Sequence, residues 1–76
     1  MRIRIDQITK TRRWAGPMHK PGVRMYRDMI RASQKLPPLE VIRLGRGIYA
    51  LQDGWHRLAA LRAEGRKYVD VLVIIS

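Results

Sequence analysis

Five consecutive residues combine groups that recognise a phosphate: Asp53, Gly54, Trp55, His56 and Arg57. They follow an apolar run over residues 48–51 and come before a helical pattern that starts at Leu58. A strand that turns directly into a helix leaves backbone N–H groups of the first helical turn without partners, and it directs the positive end of the helix dipole outward. With a histidine and an arginine in that turn, the segment predicts an anion site.

The first three residues of this segment shape the turn. The carboxylate of Asp53 is predicted to cap the helix by accepting a hydrogen bond from the N–H of Trp55 or His56. Gly54 lets the backbone turn tightly and lets a ligand approach it closely. Trp55 has two interpretations, which are stacking on a base or ribose and packing in or beside the core.

The last two residues would contact the anion. Arg57 lies where a cation is unfavourable to the helix dipole, a cost that a bound anion reverses. The alternative is that Arg57 pairs with Asp53 and only closes the turn. His56 could donate to a phosphate oxygen or act as an acid or base near neutral pH, and its alternative is a partly buried hydrogen-bonding role.

The charge of the chain indicates a polyanionic partner. Sixteen Lys and Arg residues face six Asp and Glu residues, which gives a net charge of +10, and the pI is near 11.4. This imbalance favours nucleic acid as the partner, DNA rather than RNA, ahead of an anionic membrane surface. Most of the basic residues are arginines, which favour bidentate phosphate contacts.

Composition excludes several other classes. The chain has no cysteine, which excludes disulfides, thiolate zinc sites and a cysteine nucleophile. Two histidines and six scattered acids predict no metal site, and no acid pair has the spacing of a two-metal nuclease. Without a membrane span or a signal peptide, a cytoplasmic protein that makes no membrane contact is expected. Residues 1–76 form one small domain of marginal stability, to which a homodimer interface would add.

Residues 1–22 are predicted to form a short strand and a basic loop. Residues 2–5 alternate arginine and isoleucine, as in a strand with one apolar face. Residues 6–22 contain the breakers Gly16-Pro17 and Pro21-Gly22 and read as irregular. A basic loop of this length is expected to be functional or mobile.

Residues 23–35 are predicted to form a basic helix that ends before Pro37-Pro38. Arg24, Arg27, Arg31 and Lys35 follow steps of three and four residues and line one face. A row of like charges is either a solvated face or a phosphate-binding face, and the mutual repulsion favours a ligand. The nucleic-acid contacts predicted on the loop and this helix are Lys10, Arg12, Arg13, Arg24, Arg27 and Arg31.

Residues 37–75 are predicted to form a ββαβ core that carries the phosphate-binding turn. Strands over 39–44 and 48–52 make a hairpin, a helix follows over 54–64 with Gly65 as its stop, and a β-branched strand ends the core. The last strand is expected to be covered on both faces and to run parallel to residues 48–52 through a βαβ crossover. The fold class is therefore α+β, with a small mixed β-sheet, a β-hairpin, a βαβ crossover and two helices.

The sequence from Tyr49 to Leu61, YALQDGWHRLAAL, resembles the ParB/sulfiredoxin superfamily, together with the strands on either side of it. The family pattern is a strand pair, a turn of the form [D/G]-G-x-[H/R]-R-x-x-A into a helix, and a hydrophobic strand. The likeness extends over residues 37–75 and is looser upstream, and the chain looks like a stand-alone module without the helix-turn-helix of ParB proteins.

The resemblance implies a phosphate-binding turn. In sulfiredoxins the turn reads Gly-Cys-His-Arg and binds ATP phosphates; His56 and Arg57 match, but Trp55 replaces the cysteine nucleophile, so peroxiredoxin repair is excluded. In ParB proteins the turn reads Gly-Glu-Arg-Arg and grips the triphosphate of CTP; Gly54 and Arg57 match, and Trp55 and His56 do not. The cofactors implied are CTP or ATP with Mg²⁺.

Three functions follow from these patterns. A nucleic-acid-binding ParB-like module accounts for both the turn and the charge. The alternatives are a nucleotide-dependent enzyme or ParB-like nuclease that uses the same turn, and a basic module that docks an acidic protein. Because no catalytic acid pair or nucleophile motif is visible, a binding protein is expected rather than a nuclease or a nucleotide triphosphatase.

Overall fold

One mixed sheet carries both helices on one of its faces. The computed structural model describes residues 1–11 and 20–74, except for the side chains of residues 10 and 11. In chain order the elements are β1 (Arg2–Arg4), a 3₁₀ turn (Ile5–Gln7), β2 (Ile8–Thr11), α1 (Lys20–Arg31), β3 (Leu39–Gly45), β4 (Ile48–Asp53), α2 (Trp55–Ala63) and β5 (Tyr68–Val73).

The strand order is β1-β5-β3-β4-β2. Strand β5 pairs antiparallel with β1 and parallel with β3, while β4 pairs antiparallel with β3 and parallel with β2. The predicted α+β class, with a small mixed sheet, a β3–β4 hairpin and two helices, is confirmed.

The core lies between the sheet and the helices. Most of its fully buried side chains come from the three central strands, and Leu58, Ala60 and Leu61 of α2 pack against them with Ile30 of α1. The largest of the fully buried side chains are Leu39, Leu51, Val41 and Val71. Each contributes about 1.5–3 kcal/mol through removal from water.

The predicted direction of the last strand is wrong. Because β5 is parallel to β3, and β3 is antiparallel to β4, β5 runs opposite to β4. Strand β4 ends beside the start of β3, where Asp53 pairs with Glu40, and β5 enters the sheet at the same end, where Val71 pairs with Leu39. Strand β4, helix α2 and strand β5 therefore do not form a βαβ crossover of parallel strands.

The predicted covering of β5 on both faces is also wrong. Val69 and Val71 are buried, but Tyr68 and Leu72 are 52% and 53% exposed. Both helices pack on the face that carries the valines, so within the described residues the other face of β5 has no covering element. The β-branched run was an ambiguous signal because a strand covered on one face can carry the same residues.

The N-terminal segment is more regular than predicted. Residues 5–7 form a 3₁₀ turn and residues 8–11 form β2, which pairs with β4 from Ile8 opposite Tyr49 to Thr11 opposite Leu51. Burial of Ile8 in the core explains why this stretch is a strand. The remaining part of the predicted loop, residues 12–19, lies outside the described residues.

Helix α1 begins and ends earlier than predicted. Pro21 and Gly22 lie inside its first turn, where a proline is tolerated because its missing N–H has no helical partner. The helix stops before Pro37: Ser33 adopts φ 57°, and Gln34 N–H donates to Met29 O at 2.9 Å. This is the Schellman arrangement with serine in the usual glycine position. Gly65, with φ 69°, ends α2 in the same way, as predicted.

Candidate phosphate-binding turn

The turn between β4 and α2 is built on one glycine. Gly54 has φ 109° and ψ 30° and is the N-cap of α2, and Leu58 N–H donates to its carbonyl at 2.9 Å. Among the described residues, no side chain caps this helix. The prediction that Asp53 is the N-cap is therefore wrong. Asp53 is still the last residue of β4, opposite Glu40, and Gly54 separates it from the helix.

A side chain at position 54 would collide with the core and with Arg57. A Cβ atom there would lie 2.6 Å from Leu39 Cδ2 and 3.2 Å from Arg57 Nη2. Leu39 is fully buried, so it has little freedom to move. Glycine is thus required both for its positive φ and for the close approach of the guanidinium to the backbone.

The guanidinium of Arg57 ties the turn to the start of β3. Its Nη1 donates to Pro37 O at 3.2 Å and to Pro38 O at 2.9 Å, and its Nη2 donates to Asp53 Oδ2 at 3.3 Å. The side chain is only 13% exposed. The pairing of Arg57 with Asp53 that the sequence offered as an alternative is present. Its Nε–H and the second Nη2 hydrogen have no acceptor within the described residues, which leaves donor capacity for a ligand.

The two residues between Gly54 and Arg57 are half-buried. Trp55 packs against the hydrophobic core, so the packing interpretation is confirmed. His56 lies in the first turn of α2, beside the position where the helix dipole favours an anion. The five residues of the predicted site are consecutive, and the structure arranges them with two roles: Gly54 and Trp55 form the turn, and Arg57 is held rigidly across it.

Sequence reasoning missed a second carboxylate at this turn. Glu40 of β3 stands opposite Asp53 in the strand register, although the two residues are far apart in the chain. Like charges in this position destabilise a strand pair, and a bound cation would relieve the repulsion. The sequence predicted the hairpin of β3 and β4 but not which of its residues stand opposite each other. Among the described residues, no group of three or more metal-binding side chains is present.

The basic face of α1 is partly neutralised by α2. Glu64 accepts from Arg27 Nε at 2.7 Å and from Arg31 Nε at 2.9 Å. These hydrogen bonds, that with Arg31 first, hold the pKa of Glu64 below its usual range, and Glu64 raises the pKa of Arg31. The sequence placed the arginines on one face correctly, but no local signal indicated an acid from the other helix.

The other two cations of α1, Lys20 and Arg24, form no ion pair within the described residues. They line one concave surface with Arg27, Arg31 and the acid Asp28. Of the other predicted nucleic-acid contacts, Lys10 lies in β2 opposite Ala50, with its side chain outside the description. Arg12 and Arg13 lie outside the described residues.

Comparison with known proteins supports the fold. No family model and no curated protein sequence matches the chain. A solved structure of a free serine kinase, a mutant form in complex with ADP, matches with a TM-score of 0.77 at 20% sequence identity, over 97% of this chain and 30% of the kinase chain. In the described residues, no helix is long and apolar enough to cross a membrane. The chain therefore shares its α+β fold with a part of that kinase chain.

Proposed function

We propose that this chain is a ParB-like phosphate-binding module whose β4–α2 turn holds the phosphates of a nucleotide. The observation that carries the proposal is the state of Arg57: a nearly buried guanidinium, fixed by three hydrogen bonds at a helix N-terminus, that keeps two donors in reserve. Fixed donors bind anions with little loss of side-chain entropy. The ADP complex of the kinase that shares this fold supports a nucleotide as the ligand.

Each residue of the turn has a part in this proposal. Gly54 keeps the backbone clear so that a phosphate approaches the helix N-terminus. Arg57 donates through Nε or Nη2, and His56 donates from the first turn of α2. Asp53 orients Arg57. Asp53 and Glu40 would hold the Mg²⁺ ion that accompanies a nucleoside triphosphate, whose other ligands would be phosphate oxygens and water.

Binding rather than turnover is the activity we propose. Asp53 is engaged by Arg57, so it serves poorly as a general base. Trp55 occupies the position at which sulfiredoxins carry a cysteine nucleophile and ParB proteins carry a glutamate. A nucleotide-binding role agrees with the cytoplasmic location that the sequence predicts.

Calorimetric titration with ATP and CTP, each with Mg²⁺, tests the proposal. A charge-assisted hydrogen bond contributes about 1.5–3 kcal/mol, so Arg57→Gln should weaken binding by roughly 10- to 150-fold. Arg46→Gln is the matched control, because it removes the same charge from an exposed residue of the β3–β4 turn. If the two variants bind nucleotide as the unmodified chain does, or lose affinity equally, the turn is not the site.

A second candidate function is nucleic-acid binding through the basic surface. It is favoured by the concave surface that carries Lys20, Arg24 and the two arginines bound to Glu64, in a chain of net charge +10. Binding of duplex DNA should weaken with salt, with a log–log slope of about −0.9 for each phosphate contacted. Anisotropy titration of a labelled duplex at several salt concentrations measures this slope, and absence of binding at low salt would rule the candidate out.

A further inference from the structure

A groove opens beside the first half of β5. Strand β3 begins at Leu39, which pairs with Val71, so residues 68–70 have no strand neighbour on that side within the described residues. Residues 33–37, which connect α1 to β3, form the facing wall, and Ile30, Leu61 and Val69 form an apolar floor. The groove is thus a consequence of the unequal starts of two parallel strands.

Basic side chains surround this groove. Arg2, Lys35, Arg66 and Lys67 line it, against the single acid Asp70. Both helices end here, and each carbonyl end carries roughly half a negative charge. The four cations outweigh these contributions by about two unit charges, and none of the four forms an ion pair within the described residues. Apart from Lys35, these residues were not part of the predicted basic face.

An exposed aromatic ring lies among these cations. Tyr68 is 52% exposed, and the guanidinium carbon of Arg2 lies 5.4 Å from the centre of its ring. The arginine restrains the ring through a cation–π contact with one of its faces. An exposed aromatic ring in a cationic groove is the combination that binds single-stranded nucleic acid, since bases stack on such a ring while cations follow the backbone.

The groove is continuous with the phosphate-binding turn. Pro37 lines the groove, and its carbonyl accepts a hydrogen bond from Arg57. We propose that the groove binds single-stranded nucleic acid, with a base stacked on Tyr68 and the flanking phosphates bound by Lys35 and Lys67. A single strand is required because a paired base does not offer its face to a side chain. The proposal rests on the second candidate function, nucleic-acid binding, and not on nucleotide binding.

Titration of a labelled oligo-dT of about 12 nucleotides with the full chain, followed by fluorescence anisotropy, tests this proposal. Tyr68→Leu keeps an apolar side chain and removes the ring, and it should weaken binding by about fivefold or more. Lys67→Gln should weaken binding and lower the log–log salt slope by about 0.7. Arg46→Gln is the control, because it removes one charge at the end of β3 that lies away from the groove. At about 0.15 M salt, where charges are screened over about 8 Å, this variant should bind oligo-dT with the affinity of the unmodified chain.

The outcomes separate the groove from the turn. If Tyr68→Leu and Lys67→Gln bind oligo-dT as Arg46→Gln does, the groove proposal is overturned while nucleic-acid binding stands. If the unmodified chain binds ATP but no oligo-dT, the groove proposal fails and the nucleotide function stands. If polyglutamate displaces oligo-dT at equal charge concentration, the groove is a general polyanion site, and the assignment to nucleic acid is wrong. Far-UV circular dichroism of each variant confirms that it is folded.

Discussion

Replacing Gly54 by alanine should destabilise the domain more than any other glycine substitution of this kind among the described positions. The positive φ of 109° costs an alanine about 1–3 kcal/mol. The new Cβ would lie 2.6 Å from Leu39 Cδ2, and relieving such a contact in a packed core costs about 1–3 kcal/mol more. The sum of about 2–6 kcal/mol compares with a total stability of about 4–11 kcal/mol for a chain of this length.

Two other glycines separate the backbone cost from the packing cost. Gly65 has φ 69° but nothing within 4 Å of an added Cβ, so Gly65→Ala should cost only the left-handed conformation, about 1–2 kcal/mol. Gly45 has neither a positive φ nor a neighbour within 4 Å, and Gly45→Ala should fall within about 0.5 kcal/mol of the unmodified chain. Each substitution also raises the free energy of unfolding by about 0.4–1 kcal/mol, because alanine restricts the unfolded chain more than glycine does. This gain is common to the three variants and cancels when they are compared.

Urea unfolding, followed by tryptophan fluorescence and far-UV circular dichroism, gives the three free energies. The predicted order of loss is Gly54, then Gly65, then Gly45. If Gly54→Ala loses no more stability than Gly65→Ala, the close packing of the turn against Leu39 and Arg57 is refuted, and with it the reason given for glycine at the site.

Three further predictions concern the ion pairs, the core and the acids at the turn. Because its pKa is lowered in the folded chain, Glu64 should stabilise the protein above the ordinary carboxyl range, and this contribution should disappear as the pH falls through the folded-state pKa; the difference in melting temperature between the unmodified chain and Glu64→Gln, measured against pH, checks the sign. Leu51→Ala, in the core, should cost about 2–5 kcal/mol, whereas Leu72→Ala, on the open face, should stay within about 0.5 kcal/mol; equal losses in urea unfolding would mean that both faces are covered. Glu40→Gln should weaken the Mg²⁺ dependence of ATP binding in calorimetry while leaving Mg²⁺-free binding unchanged or stronger, and an unaltered Mg²⁺ dependence would remove Glu40 from the site.

Local patterns predicted most of the elements correctly. The hairpin, helix α2 and its stop at Gly65 carry strong signals, because turn glycines and a helical apolar period act within a few residues. Strand β2 was missed because four residues with one buried isoleucine give too short a pattern, and its pairing with β4 is a distant contact. The Pro21-Gly22 pair was interpreted as a break although the first turn of a helix accepts proline.

Long-range geometry accounts for the differences at the site. The sequence identified the turn residues and offered pairing of Arg57 with Asp53, but the bonds from Arg57 to Pro37 and Pro38 depend on where β3 begins. The direction of β5 follows from its pairing with β3, a distant contact that the motif does not specify. The groove beside Tyr68 arises from the same pairing register, so its cations, spread from Arg2 to Lys67, show no pattern in the chain.

The function proposed for this chain depends on the binding of phosphate groups at the β4–α2 turn. The most direct test is a nuclear magnetic resonance titration of ¹⁵N-labelled chain with ATP and Mg²⁺, read at each backbone amide. We expect saturable shifts that are largest at residues 54–57, together with a shift of the Arg57 Nε–H signal, and we expect them to be lost in Arg57→Gln but not in Arg46→Gln. Saturable shifts confined to other residues, or none at all, would contradict the proposed function.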